Sequence, residues 1–106
     1  MNTAAESDGM RTYLVVRRRA WPAIEDLREA AKRAESALEH TPEDVRWIRS
    51  YLLAESEGSW GTVCVYRATS PEALRAHSGL ARLPLDEIVA LPETLVLGPD
   101  PVESAA

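Results

Sequence analysis

The sequence is poor in cysteine, and it has no long apolar run. Cys64 is the only cysteine among 106 residues, so no disulfide can form within the chain, and the cytoplasm is the predicted location. No segment approaches the roughly 18 apolar residues of a membrane span, and residues 1–10 lack the apolar segment of a signal peptide. The sequence therefore predicts neither membrane insertion nor export.

Positive charge is scarce relative to negative charge. Lys and Arg number 12 against 17 Asp and Glu, which gives a formal net charge of -5. Non-specific nucleic-acid binding depends on neutralising phosphates, so this balance argues against a DNA or RNA partner. With 45% hydrophobic and 27% charged residues, the composition is that of a globular protein. We expect one domain over residues 11–97, between flexible ends at 1–10 and 98–106.

Two segments have the pattern of helices. Apolar residues recur at three- and four-residue spacing over residues 24–40 and predict an amphipathic helix, which the following Thr41 and Pro42 end. A shorter helix is predicted to begin at Ser70 and Pro71, because serine caps a first turn and proline is tolerated there. We expect this second helix to end at Gly79.

Four other segments have strand-like composition or alternation, at residues 13–19, 45–53, 62–66 and 88–97. The last contains Pro92 and is predicted to be a bent or edge strand. The order β-α-β-β-α-β is typical of the ferredoxin-like α+β fold, a four-stranded antiparallel sheet with two helices on one face. On so small a domain the open face is solvated, covered by a second subunit, or part of a ligand cavity.

The third strand predicts which side chains lie on the open face. Val63 and Val65 are aliphatic and are expected to point at the helices, and the same rule places Ile48 and Leu52 inward. Thr62 and the other alternate residues are then expected on the open side. The predicted ligand-binding residues on the open face are Arg17, Trp47, Arg49, Tyr51, Cys64 and Tyr66.

This set of residues leaves more than one function open. Aromatic surface beside hydroxyl and guanidinium donors is typical of a pocket for a small polar, anionic or aromatic molecule. The same residue types are enriched in dimer interfaces, and a homodimer is the expected assembly. The main hypothesis is a dimeric ligand-binding protein, and the alternative is a small tailoring enzyme such as a cyclase, isomerase or monooxygenase. In the enzyme, His77 is the predicted catalytic proton-transfer residue.

Residues 47–84 resemble a known group of proteins. The similarity lies in residues 47–51 (WIRSY), 64–68 (CVYRA) and 72–77 (EALRAH), in that order and at the same spacing. The group is a small bacterial family of domains of unknown function that includes a streptomycete nickel-binding protein. The resemblance implies a ferredoxin-like fold, association as dimers or larger assemblies, and, in at least one member, nickel binding through histidines.

The nickel ligands of that family do not carry over to this sequence. Residues 15–19 (VVRRR) correspond to the histidine-rich stretch of the nickel-binding member and contain no metal ligand. Only His77 falls in the shared Arg-x-His pattern, and Leu83 replaces the usual glycine before Pro84. One such histidine and one thiol per chain supply half of a site at most. The sequence therefore predicts no metal site and no cofactor, with a nickel-binding protein left as a further alternative.

Overall fold

The elements follow the order that the sequence predicts. The structure, a computed structural model, describes residues 9–99. Its elements are β1 (Arg11–Trp21), α1 (Ile24–Leu38), β2 (Val45–Ala54), β3 (Trp60–Ala68), α2 (Pro71–Leu80) and β4 (Glu87–Ala90). The predicted flexible ends, 1–10 and 98–106, lie outside the described residues except for positions 9, 10, 98 and 99, so their flexibility stays a prediction.

The four strands form one antiparallel sheet in the order β2-β3-β1-β4. Both helices pack on the same face, so this is the predicted ferredoxin-like α+β fold. β4 lies at an edge, as predicted, but it ends at Ala90 rather than at residue 97. Pro92 has no N–H for a ladder hydrogen bond, which explains why the strand stops short of it.

The starts of the two helices have different causes. The Ser70 hydroxyl accepts a hydrogen bond from the Ala73 N–H at 3.1 Å, and Pro71 occupies the first helical position. α1 has no side-chain cap, but Glu25 and Asp26 place negative charge in its first turn, where the helix dipole favours it. Neither helix in the described part of the chain is long and apolar enough to cross a membrane.

The sheet face that meets the helices carries the opposite side chains from those predicted. Cys64 and Tyr66 are buried with Leu74 of α2, whereas Val63 and Val65 are only partly buried. The expectation that the valines point at the helices was therefore wrong. A buried tyrosine fills the space beneath a helix with more apolar surface than valine offers, while valine is well suited to a half-exposed strand face.

A bulge in β2 changes the alternation that the sequence predicts. Trp47 pairs with Tyr66 and Arg49 pairs with Val65, so Ile48 is an extra residue with no partner in β3. Trp47 consequently lies on the helix face, whereas Arg49 lies on the open face. The prediction that Ile48 points inward was wrong, since it is 46% exposed.

A carboxylate holds the end of β1 where the pairing with β3 is irregular. The register shifts between Arg17 and Trp21, and Arg19 has a positive φ of 45°. Glu55 accepts hydrogen bonds from the Arg18 guanidinium at 2.6 and 2.9 Å and from the Arg19 N–H at 2.5 Å. The Arg19 N–H, which lies in the irregular stretch of the pairing, thus has an acceptor, and the Arg18 guanidinium binds the same carboxylate.

Candidate functional site

A cavity of about 90 Å³ lies between α1 and the sheet. Ala30, Ala31 and Ala34 line it from the helix, and these small side chains leave space that larger ones would fill. The remaining lining residues are Arg17, Trp21, Leu27, Trp47, Ser50, Leu52, Thr62, Cys64, Tyr66 and Leu83. Leu52 is 48% exposed and marks the solvent side of the cavity.

Arg17 is a buried cation at the wall of this cavity. Its side chain is 2% exposed. Its guanidinium donates to the Pro84 carbonyl at 2.7 Å, to the Ser78 hydroxyl at 2.8 Å and to the Cys64 sulfur at 3.7 Å. No carboxylate among residues 9–99 forms an ion pair with it. Because arginine stays protonated and buried charge is costly without a partner, the cavity wall carries an uncompensated positive charge.

Thr62 adds an unsatisfied hydroxyl beside this charge. It is the cross-strand partner of Arg17 in the β1–β3 pair and is 5% exposed. Its Oγ1 has no hydrogen-bond partner among the described residues. A buried hydroxyl without a partner costs about 1–3 kcal/mol, so a ligand that accepted its proton would recover that energy. Arg17 and Thr62 therefore place a buried charge and an unpartnered hydroxyl group side by side at the cavity wall.

Hydrogen bonds orient Cys64 at the same wall. The Trp47 indole N–H donates to the Ser50 hydroxyl at 2.7 Å, and that hydroxyl donates to the Cys64 sulfur at 3.0 Å. The indole is a donor only, so Ser50 must accept there and its single proton is free for the sulfur. With Arg17, two donors therefore point at the sulfur.

Tyr66 separates the cavity from His77. The Tyr66 ring stacks on Trp47 with centroids 6.2 Å apart and meets the His77 ring edge-on at 5.5 Å. Burial raises the pKa of Tyr66 to about 12. Burial, together with the charge of Arg17, lowers the pKa of His77 to about 4. At neutral pH both groups are therefore uncharged.

The surroundings of His77 differ from those of an exposed acid–base group. Its Nε2 lies 3.4 Å from the Tyr66 hydroxyl oxygen, and its Nδ1 has no partner among the described residues. The imidazole packs behind Tyr66 and is absent from the cavity lining. The predicted proton-transfer role of His77 stays a prediction.

The structure divides the predicted ligand-binding residues between the two faces of the sheet. Arg17, Trp47, Cys64 and Tyr66 come together in the cavity, on the helix face rather than on the predicted open face. The expected open-face placement of these four residues was wrong. In β3, Cys64 and Tyr66 rather than the valines face the helices, and the bulge at Ile48 puts Trp47 on the helix face. Arg49 and Tyr51 do lie on the open face.

Two polar residues of the cavity, Ser50 and Thr62, are absent from the predicted set of ligand-binding residues. The expectation that Thr62 lies on the open side was wrong, since it is buried at the cavity wall. Both are small hydroxyl residues within strands, and the helix face of a sheet rarely buries such a group without a partner. The alanines of α1 were a further signal. Three of them on the inner face of one helix predict a gap beneath it.

The open face carries a wider groove of about 600 Å³. It lies between the sheet and residues 94–99, and the sheet side includes Ile48, Tyr51 and Val65. Leu95, Val96 and Leu97 are 83%, 73% and 89% exposed. This face therefore exposes apolar side chains to solvent, whereas the cavity on the other face is smaller and has the buried Arg17 at its wall.

These features define a ferredoxin-like domain with a small cavity beneath its first helix and a buried arginine at the cavity wall. Comparison with protein families matches residues 13–91 to the family described as Nickel responsive protein SCO4226-like. The match covers most of the chain, so the chain belongs to this family. This agrees with the resemblance of residues 47–84 to the family that includes a streptomycete nickel-binding protein. No curated protein and no solved structure matched the chain.

The described residues of a single chain do not fit a nickel ion. Within residues 9–99, no three His, Cys, Asp or Glu side chains come close enough together to hold a metal. His77 is buried against Tyr66, and the guanidinium of Arg17 lies 3.7 Å from the Cys64 sulfur, where it repels a cation.

Proposed function

We propose that this protein binds a small organic anion in the cavity beneath α1, with Arg17 as the countercharge. The observation that carries the proposal is a guanidinium, 2% exposed, whose described partners are all uncharged. An isolated buried charge is unfavourable by several kcal/mol, and an anion beside it offsets that cost. Binding should therefore stabilise the folded protein.

The shape and chemistry of the cavity favour a short carboxylate. A guanidinium matches the planar geometry of a carboxylate, and the unpaired Thr62 hydroxyl is a further donor. The alanines of α1 and Leu27 form an apolar wall suited to a short hydrocarbon chain. At about 90 Å³, the cavity is well below the ~300 Å³ at which pockets for drug-sized ligands begin.

Thermal unfolding in the presence of carboxylates and amides of the same shape tests this proposal. Acetate and propionate should raise Tm with concentration, whereas acetamide and propionamide at the same concentration should not. Sodium chloride at matched ionic strength controls for general salt effects. An equal rise with carboxylate, amide and chloride would refute anion binding.

A pair of variants locates the site. Arg17→Met should abolish the carboxylate effect, whereas Arg49→Met, on the opposite face of the sheet, should retain it. If Arg17→Met fails to fold, the comparison of carboxylate with amide in the wild-type protein still decides whether an anion binds. Retention of the effect in a folded Arg17→Met variant would place the site elsewhere.

We further propose that the open face binds a second copy of the chain. The apolar side chains of Leu95, Val96 and Leu97 are almost fully exposed beside a groove on the same chain. Two copies related by a twofold axis can each place this segment against the other's open face, and such self-complementary contacts are the usual basis of dimers. The expected dimer therefore rests on residues 94–97 rather than on Trp47 and Tyr66, which are inside the fold.

Sedimentation at micromolar concentration tests the dimer. The wild-type chain should sediment as a dimer, and Leu95→Glu should give the 11.7 kDa monomer because a charge in an apolar interface is unfavourable. Leu80→Glu is the matched control, since Leu80 is 50% exposed but lies on α2. A monomeric wild-type chain would contradict this part of the proposal.

The remaining aspects of function follow from the same residues. We expect a cytoplasmic protein, because the sequence offers Cys64 no disulfide partner within the chain. The geometry favours binding over the tailoring-enzyme alternative, since His77 does not line the cavity. The family description refers to a nickel response, but residues 9–99 of one chain bring together no group of three metal ligands.

A further inference from the structure

Cys64 lies at the wall of the same cavity as Arg17. We propose that Cys64 is a modification site selective for small anionic electrophiles, which the Arg17 guanidinium holds beside the sulfur. This inference rests on the proposed binding of anions in the cavity. It adds a covalent reaction to that binding and identifies the reacting atom as the Cys64 sulfur.

The neighbours of the sulfur are donors. The Ser50 hydroxyl donates to it at 3.0 Å and the Arg17 guanidinium at 3.7 Å. A cysteine buried among apolar groups is usually inert, whereas the sulfur of Cys64 has a hydroxyl group and a guanidinium group as its neighbours. The two contacts therefore distinguish Cys64 from a purely structural cysteine.

A second, independent observation indicates that this part of the cavity accepts a ligand. The Thr62 hydroxyl oxygen has no partner among the described residues, and Thr62 is 5% exposed. Thr62 is two residues from Cys64 on the same face of β3 and lines the same cavity. Buried hydroxyl groups in native proteins are nearly always hydrogen-bonded, so this one is suited to a ligand atom.

The chemical class that fits is a short carboxylate with a leaving group on the carbon next to the carboxyl group. The carboxylate pairs with Arg17, and the Cys64 thiol gives its proton to solvent. The sulfur then attacks the adjacent carbon, so that a sulfur–carbon bond forms while the bond to the leaving group breaks. The leaving group departs with the electron pair, and the step needs neither oxidant nor reductant.

Charge should control the selectivity of this reaction. A neutral amide of the same shape has the same leaving group but lacks the attraction to Arg17. The chain as a whole carries a formal net charge of -5, which disfavours the approach of an anion. A preference for the anionic reagent must therefore come from a local positive charge.

Alkylation with iodoacetate and iodoacetamide tests the inference. Cys64 is the only cysteine, so the intact mass of the chain reports this site alone. The ratio of the alkylation rate with iodoacetate to that with iodoacetamide should be about tenfold or more higher in the folded chain than in the urea-unfolded chain. The reason is that the attraction between the iodoacetate carboxylate and the Arg17 guanidinium is worth more than one decade in rate. Acetate should slow the iodoacetate reaction, and acetamide should not.

Variants assign the preference to particular residues. Arg17→Met should lower the ratio to its value in the unfolded chain, Arg17→Lys should keep part of it, and Arg49→Met should leave it unchanged. Equal ratios in the folded and unfolded wild-type chain, or no reaction of the folded chain with either reagent, would overturn the inference. If acetate still raises Tm in that case, anion binding stands and only the reactivity of Cys64 is refuted. If acetate neither stabilises nor protects, both proposals fail.

Discussion

The two faces of the sheet use arginine in different ways. On the helix face, Arg17 is 2% exposed and donates to uncharged groups at the wall of a small cavity. On the open face, Arg67 is only partly buried and donates to the Thr12 hydroxyl at 3.1 Å and to the Met10 carbonyl at 2.7 Å. Water screens a partly exposed guanidinium, so such contacts hold the strand ends together at little electrostatic cost. The buried one has no such screening, and this difference is why we assign the anion to Arg17.

The comparison extends to the apolar residues. The helix face has Arg17 and Thr62 at the wall of one cavity, and beside it lies a core that includes Tyr13, Val15 and Leu74. The open face instead leaves Ile48 and Tyr51 partly exposed, at 46% and 42%. One face is therefore suited to a small charged ligand and the other to a protein surface.

The largest expected effect contrasts the two faces through their tyrosines. Tyr66→Ala removes a buried ring that stacks on Trp47 and should lower the free energy of unfolding by about 4 kcal/mol. Tyr51→Ala, at 42% exposure, should cost less than about 1 kcal/mol. Urea denaturation of both variants as monomers measures the difference. Similar losses would mean that the faces are assigned wrongly.

A smaller loss of stability is expected where β3 lies beside the irregular end of β1. A side chain at Gly61 would collide with the Glu55 carboxylate and with the backbone carbonyl of Arg17. Gly61→Ala should therefore destabilise the fold by about 2 kcal/mol. Gly79→Ala is the control, because nothing lies near its added methyl group, and within α2 it should be neutral or slightly stabilising. Equal stabilities for the two variants would contradict the described packing.

The stability of the helix face should depend on pH through His77. Its pKa is lowered to about 4 in the folded state from an ordinary value of 6.5, so the unfolded chain binds more protons between these values. The free energy of unfolding should therefore rise by up to about 3 kcal/mol between pH 4 and pH 6.5. Above about pH 6.5, His77 should change it little. Urea denaturation across this range measures the slope.

The control for that slope is a pair of histidine variants. His77→Gln should flatten the dependence, whereas His40→Gln, at the exposed end of the long helical segment, should keep it. A wild-type slope in a folded His77→Gln variant would assign the dependence to other groups.

Filling the cavity should remove ligand binding with little effect on the rest of the fold. Ala31→Leu places a larger side chain in the space beneath α1 and should abolish the rise in Tm with acetate. Ala76→Leu, on the exposed side of α2, should leave it intact. If Ala31→Leu folds and still responds to acetate, the anion binds outside the cavity.

Nickel should have the smallest effect of all. The described residues bring no three metal ligands together, so calorimetric titration at neutral pH should show no stoichiometric binding in the sub-micromolar range. Tight binding that disappears in His77→Ala would contradict this expectation. It would also show that a second subunit completes a site.

The order of the elements could be predicted from local signals. The amphipathic pattern that begins at Ile24 and the Ser70–Pro71 start give both helices, and the strand segments follow from composition. The faces of the sheet could not be predicted in this way. The extra residue at Ile48 breaks the alternation of β2, and a bulge has no reliable sequence pattern. In β3, packing beneath α2 favoured Tyr66 over the more aliphatic valines.

The candidate site was predictable in part of its composition but not in its position. Arg17, Trp47, Cys64 and Tyr66 do gather in one place, yet they surround a cavity rather than an open surface. Thr62 was expected on the open side because Val63 and Val65 were expected to face the helices, and Ser50 was not included in the predicted site. Their importance depends on burial, which only the packing of α1 on the sheet reveals.

The central claim is that an anion pairs with Arg17 inside the fold, and NMR of the arginine side chains tests it most directly. The Arg17 Nε–H donates to the Pro84 carbonyl at 2.7 Å and is buried, so its signal should resist exchange with water and can be assigned with Arg17→Lys. Titration with acetate should shift the Arg17 signal in a saturable way and leave the Arg67 signal unchanged. Titration with acetamide should shift neither signal. An Arg17 signal that ignores acetate, or that responds equally to acetamide, would contradict the account.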